Sequence, residues 1–157
     1  MDQVPDRPKL YIGGLDAVDQ LDMLDSSGIT HIVSLLEYDH LDWPEYAKYY
    51  RLWLQIEDNA EDIMQYFSTI IEFIDNGLAS GGAVLVHCAM GQSRSAAAVC
   101  AYIMAKGRLS VREAMAKLRH ARPMCEPNEG FMEQLRVYES FRPEPRSSAI
   151  TFDDLKP

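Results

Sequence analysis

The sequence has few cysteines, no long apolar run and fewer basic than acidic residues. Three cysteines occur among 157 residues, and Cys88, Cys100 and Cys125 do not have the CxxC spacing of a zinc site. No stretch approaches the ~20 consecutive apolar residues of a transmembrane helix, and the N-terminal MDQVPDRPKL lacks the apolar segment of a secretory signal. We therefore expect a reduced, intracellular protein, cytoplasmic or nuclear, with no metal, no other cofactor and no membrane contact.

The charge balance restricts the partners of the protein. Asp and Glu number 24, Lys and Arg number 15, and the formal net charge is −9. A field of this sign does not attract polyanions, so we expect no direct contact with nucleic acid. An anionic substrate requires a local cationic site that works against the overall field.

Apolar runs alternate with helical patterns in the first half of the chain. The runs LYIGG, ITHIVSLL, YYRLWLQI and AVLVHC predict strands. DAVDQLDMLDSSG predicts one helix that ends at Gly28, and IMQYFSTIIEFIDNGL predicts another. Three helices follow, of which one opens at Ser110 and Glu113 with capping-box spacing and the last has Asn128 as its N-cap. This order predicts an α/β fold with a mostly parallel central sheet covered by helices on both faces.

The segment HCAMGQSRS, residues 87–95, joins the most apolar predicted strand to a helix. A helix start offers unpaired N–H groups and the positive end of the dipole, and a loop in front of it can form an anion nest. Gly91 allows the tight turn, and Arg94 offers a planar fork for two phosphate oxygens. The same field stabilises the thiolate of Cys88. The segment therefore predicts nucleophilic attack on a phosphate ester and a cysteinyl-phosphate intermediate.

The leaving oxygen in such a reaction needs a proton. Asp58 ends the predicted strand RLWLQIED, which places it at the same sheet edge as Cys88, so we expect it to be the general acid. A purely structural role in a turn is the alternative for this aspartate. Three neighbouring carboxylates compete with it, namely Glu57, Glu61 and Asp62.

Other side chains have supporting or structural interpretations. Ser95 is placed to donate a hydrogen bond to the departing thiolate. We expect His87 to be a buried, hydrogen-bonded residue that shapes the loop rather than a proton donor. Cys100 belongs to an apolar helix and Cys125 to a loop. The aromatic residues before and within the third predicted strand are expected to lie in strand or core: Tyr46, Tyr49, Tyr50 and Trp53.

The segment VLVHCAMGQSRS resembles the signature of the cysteine-dependent dual-specificity protein phosphatases, within the protein tyrosine phosphatase superfamily. The resemblance extends from LYIGG through GITHIVSLL, QIED and YFSTIIEFIDNGL to EPNEGFMEQLRVYE. It implies that Cys88 is the nucleophile, Arg94 the phosphate ligand, Asp58 the general acid and Ser95 the group that assists thiolate departure. It also implies a cradle of backbone amides from Ala89, Met90, Gly91, Gln92, Ser93 and Arg94.

Within that family, YIGG, DIMQYF and EPNEGFMEQL are similar to the subgroup that has a C-terminal zinc-binding domain and takes part in assembly of the large ribosomal subunit. This chain has no zinc-ligand cluster. The resemblance therefore implies the catalytic domain alone, over residues 1–142, with contact to a pre-ribosomal particle through a domain missing from this chain. Residues 143–157 contain proline and serine and are expected to form a flexible tail.

The expected function is hydrolysis of phosphotyrosine and phosphoserine or phosphothreonine in a protein substrate. Phosphatases of strongly anionic substrates such as phosphoinositides typically have lysines in this loop, whereas residues 89–93 here are uncharged. Two alternatives stay open. One is a phosphatase of a non-protein phosphoester, and the other is a phosphate-binding scaffold or assembly module in which catalysis is dispensable.

Overall fold

One five-stranded sheet organises the protein in this computed structural model, which describes residues 1–141. The strands are β1 (Asp2–Gln3), β2 (Leu10–Gly13), β3 (Ile29–Leu36), β4 (Tyr50–Gln55) and β5 (Ala83–His87). Their order in the sheet is β1-β2-β5-β3-β4. The short β1 pairs antiparallel with β2, and all other neighbours are parallel. The predicted α/β fold with a mostly parallel sheet is confirmed.

Helices cover both faces of the sheet. The α-helices are α1 (Leu15–Val18), α2 (Leu21–Ser26), α3 (Phe67–Ala79), α4 (Arg94–Gly107), α5 (Val111–Ala121) and α6 (Glu129–Phe141). On one face α1 and α2 pack around Ile32 and Leu85, and on the other the four longer helices enclose the larger core, with Val33 and Val86 at its centre. This arrangement confirms the predicted layers.

The central strand β5 is buried at every position and apolar up to Val86, because it has a neighbour on each side and helices above and below. The edge strand β4 is different. Tyr50 and Trp53 lie in this strand as expected, but they are 68% and 38% exposed. They are therefore strand residues outside the core, because an edge strand has only one neighbour. Tyr46 and Tyr49, which precede β4, are buried as predicted.

The segment after β2 differs from the single helix predicted for it. It forms two short helices, α1 and α2, because Gln20 between them leaves the helical region with φ −103° and ψ 78°. The break lets Val18 and Leu24 both reach the same core. Gly28 follows α2 with a φ of +75°, which fits the predicted helix end.

The carboxyl ends of the four parallel strands lie at one edge of the sheet, where ligands bind in folds of this kind. The segments that follow these strands therefore meet around the end of β5. Within the described residues, no helix is both long and apolar enough to span a membrane. The predicted tail at 143–157 lies outside the described residues.

Candidate active site

Cys88 follows β5 directly, and its sulfur lies close to the start of α4. The Sγ atom is 3.2 Å from Oγ of Ser95, and both residues are buried. Because α4 begins at Arg94, Ser95 is in the first turn of the helix, where the N–H groups have no partner within the helix. The structure thus brings together two of the residues predicted for catalysis.

The cradle loop, residues 89–94, connects Cys88 to α4. Its first four carbonyl groups accept hydrogen bonds from surrounding segments. Ala89 O accepts from the Leu15 amide at 2.9 Å, and Gln92 O accepts from the Glu126 amide at 2.6 Å. Arg122 donates to the next two carbonyls, from Nε to Gly91 O at 2.8 Å and from Nη2 to Met90 O at 3.2 Å. Hydrogen bonds from other segments to its carbonyl oxygens therefore hold the loop in place.

The amides of the same loop remain available. Within residues 1–141, none of the N–H groups of residues 89–94 donates a hydrogen bond to another group of the protein, whereas Cys88 N donates to Gly13 O at 3.4 Å. Successive amides with no internal acceptor, next to a helix N-terminus, form a binding site for an anion. This is the arrangement expected for Ala89, Met90, Gly91, Gln92, Ser93 and Arg94.

Arg94 is 5% exposed and links the segments after two other strands. Its Nη1 donates to Oε1 of Glu37, which follows β3, and to the carbonyl of Ile56, which follows β4, both at 3.0 Å. The Glu37 carboxylate has its pKa lowered by its own backbone amide and by Arg94. The Nε atom of Arg94 is buried and has no partner within the described residues. A buried N–H without a partner is costly, and an anion above Cys88 would satisfy it.

Gly91 and Arg122 explain why the loop has this shape. Gly91 has a φ of +67°, and a Cβ there would lie 2.5 Å from Nη2 of Arg122 and 2.6 Å from the carbonyl carbon of Gly13. Only glycine fits this position. Sequence reasoning missed Arg122, which is fixed in turn by Asp2 at 2.8 Å. No motif marks it, because its partners are backbone carbonyls 31 and 32 residues away.

His87 is fully buried beneath the loop. Burial lowers its pKa to about 4, so the imidazole is neutral at neutral pH. Its Nδ1 donates to the carbonyl of Cys88 at 3.1 Å, and its Nε2 accepts from the hydroxyl of Ser34 at 2.7 Å. These bonds use both ring nitrogens and leave no proton for a substrate.

Asp58 lies three residues beyond the end of β4, in the acid loop, residues 56–63. Its side chain is exposed, and Oδ1 accepts a hydrogen bond from the Asn128 amide at 3.0 Å. The competing carboxylates have local structural partners. Glu61 accepts from the Glu57 amide at 2.9 Å, Glu57 accepts from Asn59, and Asp62 accepts from the Gln65 amide. Of these four, Asp58 is the one that is linked toward the cradle loop.

Asn128 makes that link. Its backbone amide donates to Oγ of Ser93 in the cradle loop at 2.9 Å, while its side-chain amide donates to Asp58 Oδ1 and to the carbonyl of Asn59. Its Oδ1 accepts from the Phe131 amide at 2.8 Å, as predicted for the N-cap of α6. The capping role was readable from the sequence. The contact with Asp58 was not, since it spans 70 residues.

The other two cysteines are neutral thiols inside the protein. Burial raises the pKa of Cys100 to about 12 and that of Cys125 to about 11. All three cysteines are free of disulfides. In residues 1–141 no group of three or more His, Cys, Asp or Glu side chains could hold a metal ion.

Comparison with known proteins adds to this geometry. Residues 10–141 match the model of the dual specificity phosphatase catalytic domain. A probable dual specificity protein phosphatase of Dictyostelium discoideum is 44% identical over 133 residues, which cover 84% of this chain and 33% of that protein. The chain spans a third or less of the length of the first three curated relatives that it matches.

Solved structures give the same result. The crystal structure of a human tyrosine phosphatase-like serine/threonine/tyrosine-interacting protein superposes with a TM-score of 0.83 at 37% identity, covering 89% of this chain and 95% of that one. The Yvh1 phosphatase domain from Chaetomium thermophilum superposes with a TM-score of 0.79 at 31% identity and covers 88% of this chain and 95% of its own.

Proposed function

Since this chain belongs to the dual specificity phosphatase family, we propose that it hydrolyses phosphotyrosine and phosphoserine or phosphothreonine in protein substrates, with Cys88 as the nucleophile. One observation carries the proposal. The carbonyls of the cradle loop accept hydrogen bonds from other segments, whereas its amides have no acceptor and lie in the loop that follows the buried Cys88. A site of this kind binds three phosphate oxygens and places the phosphorus over the sulfur.

In the proposed first step the Cys88 thiolate attacks the phosphorus, and the bond between phosphorus and the substrate oxygen breaks. The cradle amides and the free Nε of Arg94 hold the equatorial oxygens, whose charge they stabilise in the transition state. Asp58, as the neutral acid, gives its proton to the leaving oxygen. The products of this step are a dephosphorylated side chain, a phosphocysteine and the Asp58 carboxylate.

In the proposed second step the Asp58 carboxylate accepts a proton from water as that water attacks phosphocysteine. The phosphorus–sulfur bond breaks, inorganic phosphate forms, and the electron pair returns to Cys88 as thiolate. Ser95, at 3.2 Å from Sγ, donates its O–H to the departing sulfur. His87 keeps the loop in position through its bond to the Cys88 carbonyl and takes no part in proton transfer.

As a finer assignment, we propose that the chain belongs to the phosphatase subgroup that takes part in assembly of the large ribosomal subunit. Its support is the sequence resemblance and the fit to the Yvh1 phosphatase domain at 31% identity. The chain would then be the catalytic part of a cytoplasmic or nuclear protein whose contact with a pre-ribosomal particle lies in another domain. Co-sedimentation of the full-length protein with precursors of the large subunit tests this assignment, and its absence from those fractions would contradict it.

A non-catalytic role is the second candidate. It is favoured by the relation to a protein that is named as phosphatase-like and interacting, at 37% identity. One experiment separates the two. Wild type should release phosphate from phosphotyrosine and phosphothreonine peptides and from a small aryl phosphate, while Cys88→Ser should bind phosphate or vanadate and release nothing. Binding without turnover in both proteins would favour the scaffold.

A further inference from the structure

A second cleft lies between two segments that contact the candidate active site. It has a volume of about 290 Å³, and its walls come from the segments after β2 and β3. We call it the aromatic cleft. It is lined by Asp19, His40, Trp43, Glu45 and Tyr46.

Both walls of the aromatic cleft are anchored on the candidate active site. The Leu15 amide donates to Ala89 O of the cradle loop, and the Asp19 amide donates to Leu15 O at 3.2 Å, one helical turn further on. On the other wall Glu37 contacts Arg94, and His40 follows three residues later. Nε2 of His40 lies 3.1 Å from Oδ1 of Asp19 and joins the two walls. The cleft is thus connected to the cradle loop through residues 15–19 and to Arg94 through residues 37–40.

The lining of the aromatic cleft has the chemistry of a cation site. Trp43 is 63% exposed, although tryptophan is a costly side chain to leave in water. Tyr46 forms part of the floor and is held by a hydrogen bond from its hydroxyl to Val18 O. Glu45 makes no hydrogen bond or ion pair within the described residues. An exposed indole beside a free carboxylate attracts an ammonium or guanidinium group.

The segments around the aromatic cleft are also negatively charged, like Glu45. The segments that follow β2, β3 and β4, residues 14–20, 37–47 and 56–63, contain ten Asp and Glu and no Lys or Arg. The phosphate site is thus a small cationic centre inside an anionic rim. Such a rim repels acidic flanking residues or a second phosphate and attracts basic ones.

We propose that the aromatic cleft binds an arginine or lysine side chain of the substrate, so that the enzyme selects phosphorylated residues with basic neighbours. The proposal rests on the proposed phosphatase function and names its substrate class. Trp43 would stack on the cation, and Glu45 would pair with it. The cleft acts as a specificity site and has no part in the chemical steps.

A peptide series tests this selection. Arginine is placed in turn at each position within four residues of a phosphotyrosine, and at each position citrulline replaces it as a neutral side chain of the same shape. For wild type we expect arginine to raise kcat/KM about tenfold over citrulline at one or two positions, a gain typical of a cation between an aromatic ring and a carboxylate. A small aryl phosphate, which cannot reach the cleft, measures the catalytic site alone.

Substitutions in the aromatic cleft test whether the cleft causes the preference for arginine. Trp43→Ala and Glu45→Gln should reduce the preference for arginine to near unity while turnover of the aryl phosphate stays unchanged. Glu72→Gln is the control, since Glu72 is exposed on α3 and loses the same charge. An equal loss of preference in Glu72→Gln, or no difference between arginine and citrulline peptides in wild type, would overturn the proposal.

A binding experiment tests the cleft independently of the phosphatase function. If no substrate is turned over, the proposed function fails, yet peptide binding to Cys88→Ser still decides the question of the cleft. Calorimetry should then show tighter binding of the arginine peptide than of the citrulline peptide, and Trp43→Ala in the same background should remove the difference. Equal affinities would refute the cleft as a cation site.

Discussion

The cradle loop and the acid loop are held in different ways. In the cradle loop the carbonyls of residues 89–93 are all bonded, and Ser93 and Arg94 are buried. In the acid loop residues 57–62 are all exposed. The acid loop depends on α6, where Gln134 accepts from the Ile63 amide at 2.8 Å and donates to the carbonyl of Glu61 at 2.7 Å.

The contrast indicates that the two loops have separate proposed roles, anion binding for the cradle loop and proton donation for the acid loop. The proposed anion site has its loop held by hydrogen bonds to its carbonyls, and a site that is fixed in this way loses little free energy to reorganisation. The proposed proton donor, Asp58, is on a separate segment that Asn128 and Gln134 contact. Damage to the cradle loop should therefore weaken anion binding and chemistry together, whereas damage to the acid loop should affect proton transfer alone.

Removal of the acid should give the largest effect within this comparison. Asp58→Asn is expected to lower kcat by roughly 10²–10⁴, the usual range for a lost general acid. The affinity for vanadate should stay unchanged, since the cradle loop is intact.

Glu57→Gln is the matched control for Asp58→Asn, because it makes the same chemical change one residue away. It should keep the wild-type kcat. If Glu57→Gln loses activity and Asp58→Asn does not, the proton donor has been misassigned.

Loss of the cradle support should have an intermediate effect. Arg122→Ala leaves the carbonyls of Met90 and Gly91 without their partners. We expect kcat/KM for an aryl phosphate to fall by roughly 10–100-fold, because a shift of the loop misplaces several amides at once. Vanadate should bind more weakly in parallel.

Arg112→Ala, at the other end of α5 from Arg122, is the control for Arg122→Ala, since Arg112 is exposed. It should leave both quantities near wild type. A parallel loss in the two variants would show a general effect on α5 rather than a role in supporting the loop.

The smallest effect should follow from Asn128→Asp. Aspartate keeps the N-cap of α6, so Tm should change little, but it removes the N–H donor that holds Asp58. We expect kcat to fall about tenfold for a substrate whose leaving group needs the proton. A substrate with a very good leaving group should be hydrolysed at nearly the wild-type rate. Equal losses for both substrates would contradict a positioning role.

The sequence predicted those features that depend on neighbouring residues. β3 and β5 follow from continuous apolar runs, and the helix after the cradle loop follows from RSAAAVCAYIMAK. The proximity of Cys88 and Ser95 follows from their spacing around a helix start. Ser110 and Glu113 form the capping box that their spacing predicts.

Features that depend on distant contacts were not predictable. Arg122 and Asn128 contact residues far away in the sequence. Because every residue has a backbone carbonyl, no residue type in the sequence indicates which side chain will bond it. The break between α1 and α2 had no glycine or proline signal, since Asp19 and Gln20 are compatible with a helix. The exposure of Tyr50 and Trp53 depends on β4 being an edge strand, which is a property of the sheet order.

The central claim is that phosphate passes through the sulfur of Cys88. Acid quenching of the enzyme during turnover of an aryl phosphate, followed by peptide mass spectrometry, tests it most directly. We predict one phosphoryl group on the peptide that contains Cys88, and more of it in Ser95→Ala, in which the thiolate departs without its hydrogen bond. A phosphoryl group on His87 or any other residue, or full turnover by Cys88→Ser, would contradict the account.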